Sequence, residues 1–492
     1  MSLLKPAEND GIAKATNITR RSVVVRMSQL AAGAGALALM PQHLFAQNNA
    51  STASKRPLPA DRKFRSEAVE AYIASTQRAI SDPVLAAIFA NCFPNTLDTT
   101  VEPGRFEGKP DTAVITGDIP AMWLRDSSAQ VWPYLPLASK DEALRELLEG
   151  VIRRQTRCLL IDTYANCFMA DLNAPPLEWS VKDQTEMKPG VGERKYELDS
   201  LCYPIRLAHG YWKKTGDTRP FDSAWKLAMQ SVLSTMRVQQ RKEGPGPYRF
   251  QRSSTNPTDT LVNGLGNPVK PVGLIASAFR PSDDACIFSF LIPANLFAVT
   301  SLRQLAAMSN TILKDAGMAN QATSLANEVE AALRQHAIIS TPSGTIWAYE
   351  IDGYGNHVLM DDANVPSLLG LPYLDSSPYA ALYARTRKFV WSEQNPWFFR
   401  GSAGEGIGGP HIGRDSIWPM SQIIYALTST SNTEIGKAIQ MLKASAAATG
   451  FMHESYNRND SSIFTRAWFA WANTLFGELI GRTAESNPQL LR

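Results

Sequence analysis

Two short segments carry carboxylates in settings that favour proton transfer. Asp283 and Asp284 are adjacent in Phe279-Arg280-Pro281-Ser282-Asp283-Asp284-Ala285-Cys286. Neighbouring acids, once buried, suppress each other's ionisation, so one of the two can stay protonated and act as a general acid. The same residues also suit a plainer role as caps of the apolar run that follows, where a helix favours negative charge. Glu454 lies in Thr449-Gly450-Phe451-Met452-His453-Glu454-Ser455-Tyr456-Asn457. Flanked by Gly, Phe and Met, it reads as a partly desolvated carboxylate, suited to accept a proton near neutral pH. Its plainer role is to accept a hydrogen bond from a loop amide.

Three further segments offer groups that can bind or orient. Gly117-Asp118-Ile119-Pro120-Ala121-Met122-Trp123-Leu124-Arg125-Asp126-Ser127 places Asp118 where it can turn the chain before Pro120, and puts Arg125 and Asp126 at the start of a helical run. Phe464 to Trp471 contains Arg466, which can orient Glu454. Arg400 to His411 is rich in glycine but fits neither a P-loop nor a dinucleotide fingerprint. It reads as a mobile loop that carries His411 to a binding mouth, with a buried structural histidine as the competing reading. Loops that combine Trp, Arg, Asp and Gly suit sugars, whose C–H faces stack on rings while their hydroxyls need convergent polar groups. Trp123, Arg125, Asp126, Arg280, His411 and Arg466 are the candidate sugar contacts.

Charge argues against a nucleic-acid partner. Residues 1–46 hold Lys5, Lys14, Arg20, Arg21 and Arg26 against Glu8 and Asp10, and the remaining chain balances at 44 basic and 44 acidic residues. A neutral body without a basic run lacks the footprint of phosphate-backbone binding. The six histidines (43, 209, 336, 357, 411 and 453) form no HxH or HxxxH pattern, and the sequence has no Asp/Asn calcium loop, so no metal and no cofactor is expected. Cys92, Cys158, Cys167, Cys202 and Cys286 are widely spaced and read as buried apolar residues.

The elements that must position these groups are mostly helices. Apolar residues recur at three- and four-residue steps in Ser66 to Ala90, Asp141 to Thr163, Leu198 to Lys214, Phe221 to Gln240, Asp284 to Ser309, Met318 to His336, Ser377 to Phe389, Arg414 to Thr428, Thr433 to Ala448 and Ser461 to Leu479. Strand alternation is clearest from Thr345 to Met360, a hairpin turning at Asp352-Gly353-Tyr354-Gly355. Helical hairpins in a ring, with their long loops gathered at one mouth, form a single domain from residue 63 to 492. Gln47 to Arg62 reads as a flexible linker. Ahead of it, Thr19-Arg20-Arg21-Ser22, an apolar stretch from Ser28 to Met40 and Leu44-Phe45-Ala46 read as a twin-arginine export signal over residues 1–46, implying a periplasmic destination. No run of about 18 apolar residues is present to span a bilayer.

In order along the chain, GDIPAMWLRDSSAQVW (117–132), RKYELDSLCYP (194–204), FRPSDDAC (279–286), GPHIGRDSIWP (409–419) and GFMHE with FTRAWFAW (450–454, 464–471) resemble glycoside hydrolase family 125 over roughly residues 65–485. The resemblance implies an all-α dominated (α/α)6 barrel with a minor β-hairpin. It also implies a metal-independent, exo-acting α-mannosidase with an α-1,6 preference that inverts anomeric configuration. Its general acid falls on the Asp283-Asp284 pair and its general base on Glu454, while Arg125, Asp126 and His411 fall among residues that hold the terminal sugar. The expected partner is a mannose-containing glycan. Two other readings compete: another inverting (α/α)6 hydrolase, such as an α-glucosidase or a trehalase-like enzyme, and a non-catalytic periplasmic glycan-binding protein.

Overall fold

Two kinds of helix alternate along the chain and differ in how much of their surface is apolar. In the computed structural model, which describes residues 52–446 and 448–492, the α-helices are α1 (Glu67–Ala79), α2 (Pro83–Cys92), α3 (Asn95–Thr99), α4 (Leu124–Val131), α5 (Glu142–Ile161), α6 (Leu198–Thr215), α7 (Ser223–Val238), α8 (Ile292–Met308), α9 (Ala316–His336), α10 (Ala380–Val390), α11 (Pro419–Leu427), α12 (Asn432–Ala446) and α13 (Ala470–Ser486). The export signal expected at 1–46 lies outside the described residues. α4, α6, α8, α11 and α13 are buried over most of their circumference, as helices surrounded by protein must be. α9, by contrast, buries one stripe, Met318, Ala322, Leu325, Ala326, Val329 and Leu333, and leaves the opposite side to solvent.

The buried helices pack on one another in sequence order. α4 contacts α6, α6 contacts α8, α11 contacts α13, and α13 returns to α4. Their amphipathic partners lie outside them: α5 and α7 pack together, α9 lies on α8, α12 on α11, and α1 and α2 on α13.

The two sets also start differently. α1, α2, α5, α7 and α9 are capped by the side chains of Ser66, Asp82, Asp141, Asp222 and Asp315, each accepting a first-turn amide. The buried helices start after Trp123, Glu197, Leu291, Trp418 and Phe469, none of which caps with its side chain. Their leading amides turn to other segments instead: Leu124 N–H donates to the Asn166 carbonyl, Leu198 N–H to Ser277 Oγ and Ile292 N–H to the Tyr349 carbonyl. Residues at these starts are thereby released for other work.

Strands are short and gather at these helix starts. Ala121–Trp123 pairs with Cys167–Met169, which pairs with Val191–Glu193. Glu350–Ile351 lies between Phe290–Leu291 and His357–Val358. Ser416–Ile417 pairs with Ser455–Asn457, which pairs with Asp460–Thr465. Three two-stranded sheets complete the β structure among the described residues. The expected single hairpin is therefore too small an allowance. Its turn at Asp352–Gly355 is present, but Gly344–Trp347 pairs backwards with Ile338–Thr341 and belongs to a separate sheet.

Other expectations need correction. The run from Ser66 to Ala90 is two helices, because Pro83 forces Asp82 into an extended conformation and restarts the chain as α2. The run from Ser461 to Leu479 opens as the strand Asp460–Thr465, and its helix begins only at Ala470; likewise the runs from Asp284 and Arg414 first pass through the strands Phe290–Leu291 and Ser416–Ile417, and their helices begin at Ile292 and Pro419. The C-terminal part of the expected linker is anchored: Arg56 forks onto Glu70 and Asp98, with Nε 2.7 Å from Asp98 Oδ2, and Pro59–Asp61 forms a 3-10 turn. All five cysteines are buried, as their spacing suggested.

Candidate active site

A small, partly open cavity lies at the buried-helix starts. Its wall is assembled from segments far apart in the sequence: Arg125 and Asp126 from the first turn of α4, Ser282 and Asp283 from the 280–284 turn, His411 and Trp418 from the chain entering α11, Glu454, and Phe469 and Trp471 around the start of α13. Asn364 closes the remaining side. Because α4, α11 and α13 begin here, the positive ends of their dipoles face the carboxylates.

Asp283 is presented by a strained turn. Its φ is +68°, a left-handed conformation that Asp tolerates better than most residues at a cost of order 1 kcal/mol. The turn is held closed by Asp283 N–H donating to the Arg280 carbonyl (2.9 Å) and Arg280 N–H donating to the Asp284 carbonyl (2.7 Å). Lys195 Nζ donates to the Asp283 carbonyl at 2.8 Å, and Asn166 Nδ2 donates to Asp283 Oδ1 at 3.3 Å. The two aspartates thus part company. Asp283 faces the cavity, whereas the Asp284 side chain is 1% exposed and lies 3.5 Å from His411 Nδ1. Burial alone lowers the basicity of His411, but the contact with Asp284 and the nearby negative charge of Glu454 and Asp283 outweigh it and raise its pKa above the usual histidine value.

Behind Asp283 is a buried cluster centred on Arg125. Its guanidinium lies 2.5 Å from Glu197, 3.2 Å from Asp199, 3.4 Å from Asp126 and 4.0 Å from Asp283. One cation cannot neutralise four carboxylates in a space that excludes water. Burial accordingly pushes Glu197 well above the ordinary carboxylate range and Asp199 up to about 6. Glu197 and Asp199 therefore retain protons where free carboxylates have lost theirs.

Across the cavity, Glu454 is 5% exposed and has Arg466 Nη1 at 3.6 Å. Arg466 is itself locked in place: its Nε and Nη2 fork onto Asp118, Nη2 donates to the Thr116 carbonyl at 3.2 Å, and the guanidinium lies 4.7 Å over the Phe469 ring. A deep acid turn and a shielded carboxylate therefore face one small cavity lined by Trp418, Phe469 and Trp471.

Comparison with known proteins identifies the family. Residues 82–481 match the family described as metal-independent alpha-mannosidase (GH125). The chain belongs to that family. It is 42% identical to the Meiotically up-regulated gene 157 protein of Schizosaccharomyces pombe over 468 residues, covering 89% of this chain and 90% of the relative. Among solved structures it resembles a metal-independent alpha mannosidase of Streptococcus pneumoniae in a non-productive complex with alpha-1,6-mannobiose. That match has 38% identity and a TM-score of 0.82, over 86% of this chain and all of the other. The protein is thus an α-mannosidase of family 125 with a helix-dominated fold.

In this α-mannosidase, six of the nine residues singled out from sequence, Arg125, Asp126, Asp283, Asp284, His411 and Glu454, gather at or directly against the cavity. The other three lie behind its wall. Trp123 was expected against the sugar, but strand alternation turns it away, into a small apolar cluster with Ile119, Ala121, Cys167, Met169 and Leu177. Arg280 was expected there too. Its Nε instead pairs with Glu350 at 2.6 Å, and Glu350 also accepts the amides of Ile287 and Phe288, so Arg280 braces the acid turn from below. Arg466 backs Glu454 from the protein side. Sequence reading passed over Asn166, Lys195, Glu197, Asp199 and Asn364. The signal for two of them was present: Glu197 and Asp199 immediately open α6 within one of the five motifs.

Proposed function

We propose that this α-mannosidase is exo-acting and inverting, removing terminal α-1,6-linked mannose from glycans with Asp283 as general acid and Glu454 as general base. The observation that carries this reading is the placement of Asp283 and Glu454 on one small cavity, delivered by unrelated loops. Asp283 protonates the departing glycosidic oxygen. Glu454 takes a proton from a water that attacks the anomeric carbon from the opposite face. An inverting pair needs its carboxyl groups roughly 6.5–9.5 Å apart to admit that water.

The α-1,6 preference is supported by the α-1,6-mannobiose held by the Streptococcus pneumoniae relative. Trp418, Phe469 and Trp471 provide apolar faces for the sugar, and Arg125, Asp126 and His411 provide its polar contacts. The succession of buried and outer helices supports a closed ring of six helical hairpins, the (α/α)6 barrel, over a single catalytic domain. Residues 1–46 are read as a twin-arginine signal that sends the enzyme to the periplasm, which N-terminal sequencing of the mature protein checks.

Incubation with α-1,6-, α-1,2- and α-1,3-mannobiose and with matched α-glucosides, chelator present throughout, tests the substrate. Free mannose released fastest from the α-1,6 disaccharide is expected. Preferential cleavage of a glucoside, or no hydrolysis of any mannobiose, contradicts the reading.

A further inference from the structure

Asp118 stands apart from the cavity wall, yet it is bound to Arg466, the cation that backs Glu454. Arg466 and Asp118 are 348 positions apart in the chain, and the fold brings them into a two-pronged pair, Nε to Oδ2 at 3.1 Å and Nη2 to Oδ1. The segment bearing Asp118 is clamped. Gly117 has a φ of +113°, and a Cβ there would lie 2.6 Å from the Trp468 ring, so the turn fits against the residue two beyond Arg466 only because position 117 lacks a side chain. Arg466 is itself left-handed, with a φ of +49°, and its carbonyl lies 3.1 Å from His453 Nδ1. The close-packed Gly117 turn and the left-handed Arg466 are thus locked together, with Nε and Nη2 held by Asp118 and Nη1 directed at Glu454.

We infer that Asp118 is a positioning residue that holds Arg466 back from Glu454 and thereby leaves that carboxylate a lone pair free to take a proton from water. The inference rests on the reading of Glu454 as the general base. At 3.6 Å, Arg466 Nη1 is beyond hydrogen-bond reach of Glu454 Oε1, close enough to favour its charge but not to occupy the lone pair that must take the proton. A released Arg466 swings onto Glu454 and makes the bidentate pair that guanidinium and carboxylate prefer. The base is then masked and its proton affinity falls. Losing the negative charge of Asp118 shifts Glu454 the same way. The other charged groups facing Glu454, His411 from the glycine-rich loop, Arg125 and Asp126 from α4 and Asp283 from the acid turn, are unchanged by the substitution.

The test compares Asp118→Asn, Asp118→Glu and Arg466→Lys with the parent enzyme on an α-1,6-mannoside, measuring kcat and KM across pH. For Asp118→Asn, kcat is expected to fall about tenfold, with the acidic limb of kcat displaced about one pH unit downward, because a weaker base works at lower pH. KM should stay within about twofold, since the pair does not touch the sugar. Asp118→Glu, which can re-form the fork, should restore much of kcat. Arg466→Lys, a single-point cation, should displace the same limb. In a Glu454→Gln background, Asp118→Asn should cost little further, because its effect passes through the base. An unmoved acidic limb in both Asp118→Asn and Arg466→Lys overturns the inference, as does a raised KM at unchanged kcat, which would make Asp118 a sugar contact. Glu454→Gln as active as the parent removes the base assignment, and with it this inference. Glu454→Gln inactive beside an unmoved limb removes the inference alone.

Discussion

Arg125 and Asp283 face each other with 4.0 Å between guanidinium and carboxylate, and the same guanidinium also holds Glu197, Asp199 and Asp126. The cavity-facing acid is thus the outermost member of a buried charge cluster. Its environment is set by Arg125 and Asp126, which line the cavity with it, and by Glu197 and Asp199, which lie behind the wall.

Removing the centre of that cluster should be costly. Arg125→Ala leaves several buried carboxylates without a counter-charge, and breaking a buried pair in this way typically destabilises by about 3–5 kcal/mol. Chemical denaturation at neutral pH checks this. An Arg125→Ala protein within about 1 kcal/mol of the parent would mean that the cluster contributes far less than its geometry implies.

The cluster also gives the fold a pH dependence of definite sign. Burial raises Asp199 from 3.8 to about 6, so between those values the folded chain binds a proton that the unfolded chain has released. The stabilisation is complete below the unfolded value and is lost as the pH climbs through the folded one; Glu197, also raised by burial, contributes with the same sign. Asp199 Oδ2 accepts from Arg125 while Oδ1 has no hydrogen-bond partner, leaving a place for the proton. Asp199→Asn, which imitates the protonated acid, should flatten the decline of unfolding free energy between pH 4 and 6 measured by urea titration.

The two adjacent aspartates should separate kinetically. Asp283→Asn is expected to lower kcat on a natural disaccharide by about 10²–10⁴-fold and much less on an aryl mannoside whose leaving group needs no proton. Asp284→Asn removes the partner of His411 instead, and its loss should be similar for both substrates. A leaving-group dependence found for Asp284→Asn and not for Asp283→Asn reverses the assignment.

Trp123 and Trp471 provide a contrast between support and contact. Trp123→Ala opens a void in a sealed apolar cluster and should destabilise by about 3–5 kcal/mol while leaving KM for the mannoside close to that of the parent. Trp471 lines the cavity, and Trp471→Phe should raise KM. Thermal melting and steady-state kinetics on the same preparations distinguish the two.

What the sequence made legible follows the physics of each residue. Amphipathic helices announce themselves through apolar periodicity, so α5, α7, α9 and α12 stand close to their expected places, and so does the buried α6. The boundaries that failed, at Pro83 and before Ile292, Pro419 and Ala470, are where one residue's backbone preference or a strand in the mouth cuts an apolar run. Acid pairs beside apolar runs pointed to Asp283 and Asp284, and a shielded glutamate pointed to Glu454, because desolvation is visible in neighbouring residues. Direction was not visible. Trp123 and Arg280 sit in the right motifs, but strand alternation and the reach of Arg280 to Glu350 turn both away from the cavity. Asp361-Asp362-Ala363-Asn364 repeats the paired-acid pattern of Asp283-Asp284 and supplies Asn364 to the wall, so the criterion that found one acid pair would have found the other. Asn166 and Lys195 carry no such mark, since a lone amide or amine gains its role only from where the chain folds back on it.

Hydrolysis of α-1,6-mannobiose followed by proton NMR from the first turnovers tests the central claim, that Asp283 and Glu454 act across a gap holding one water. β-Mannose appearing first and only later equilibrating to the α anomer is the predicted result, absent in Glu454→Gln. α-Mannose as the first-formed product would contradict it.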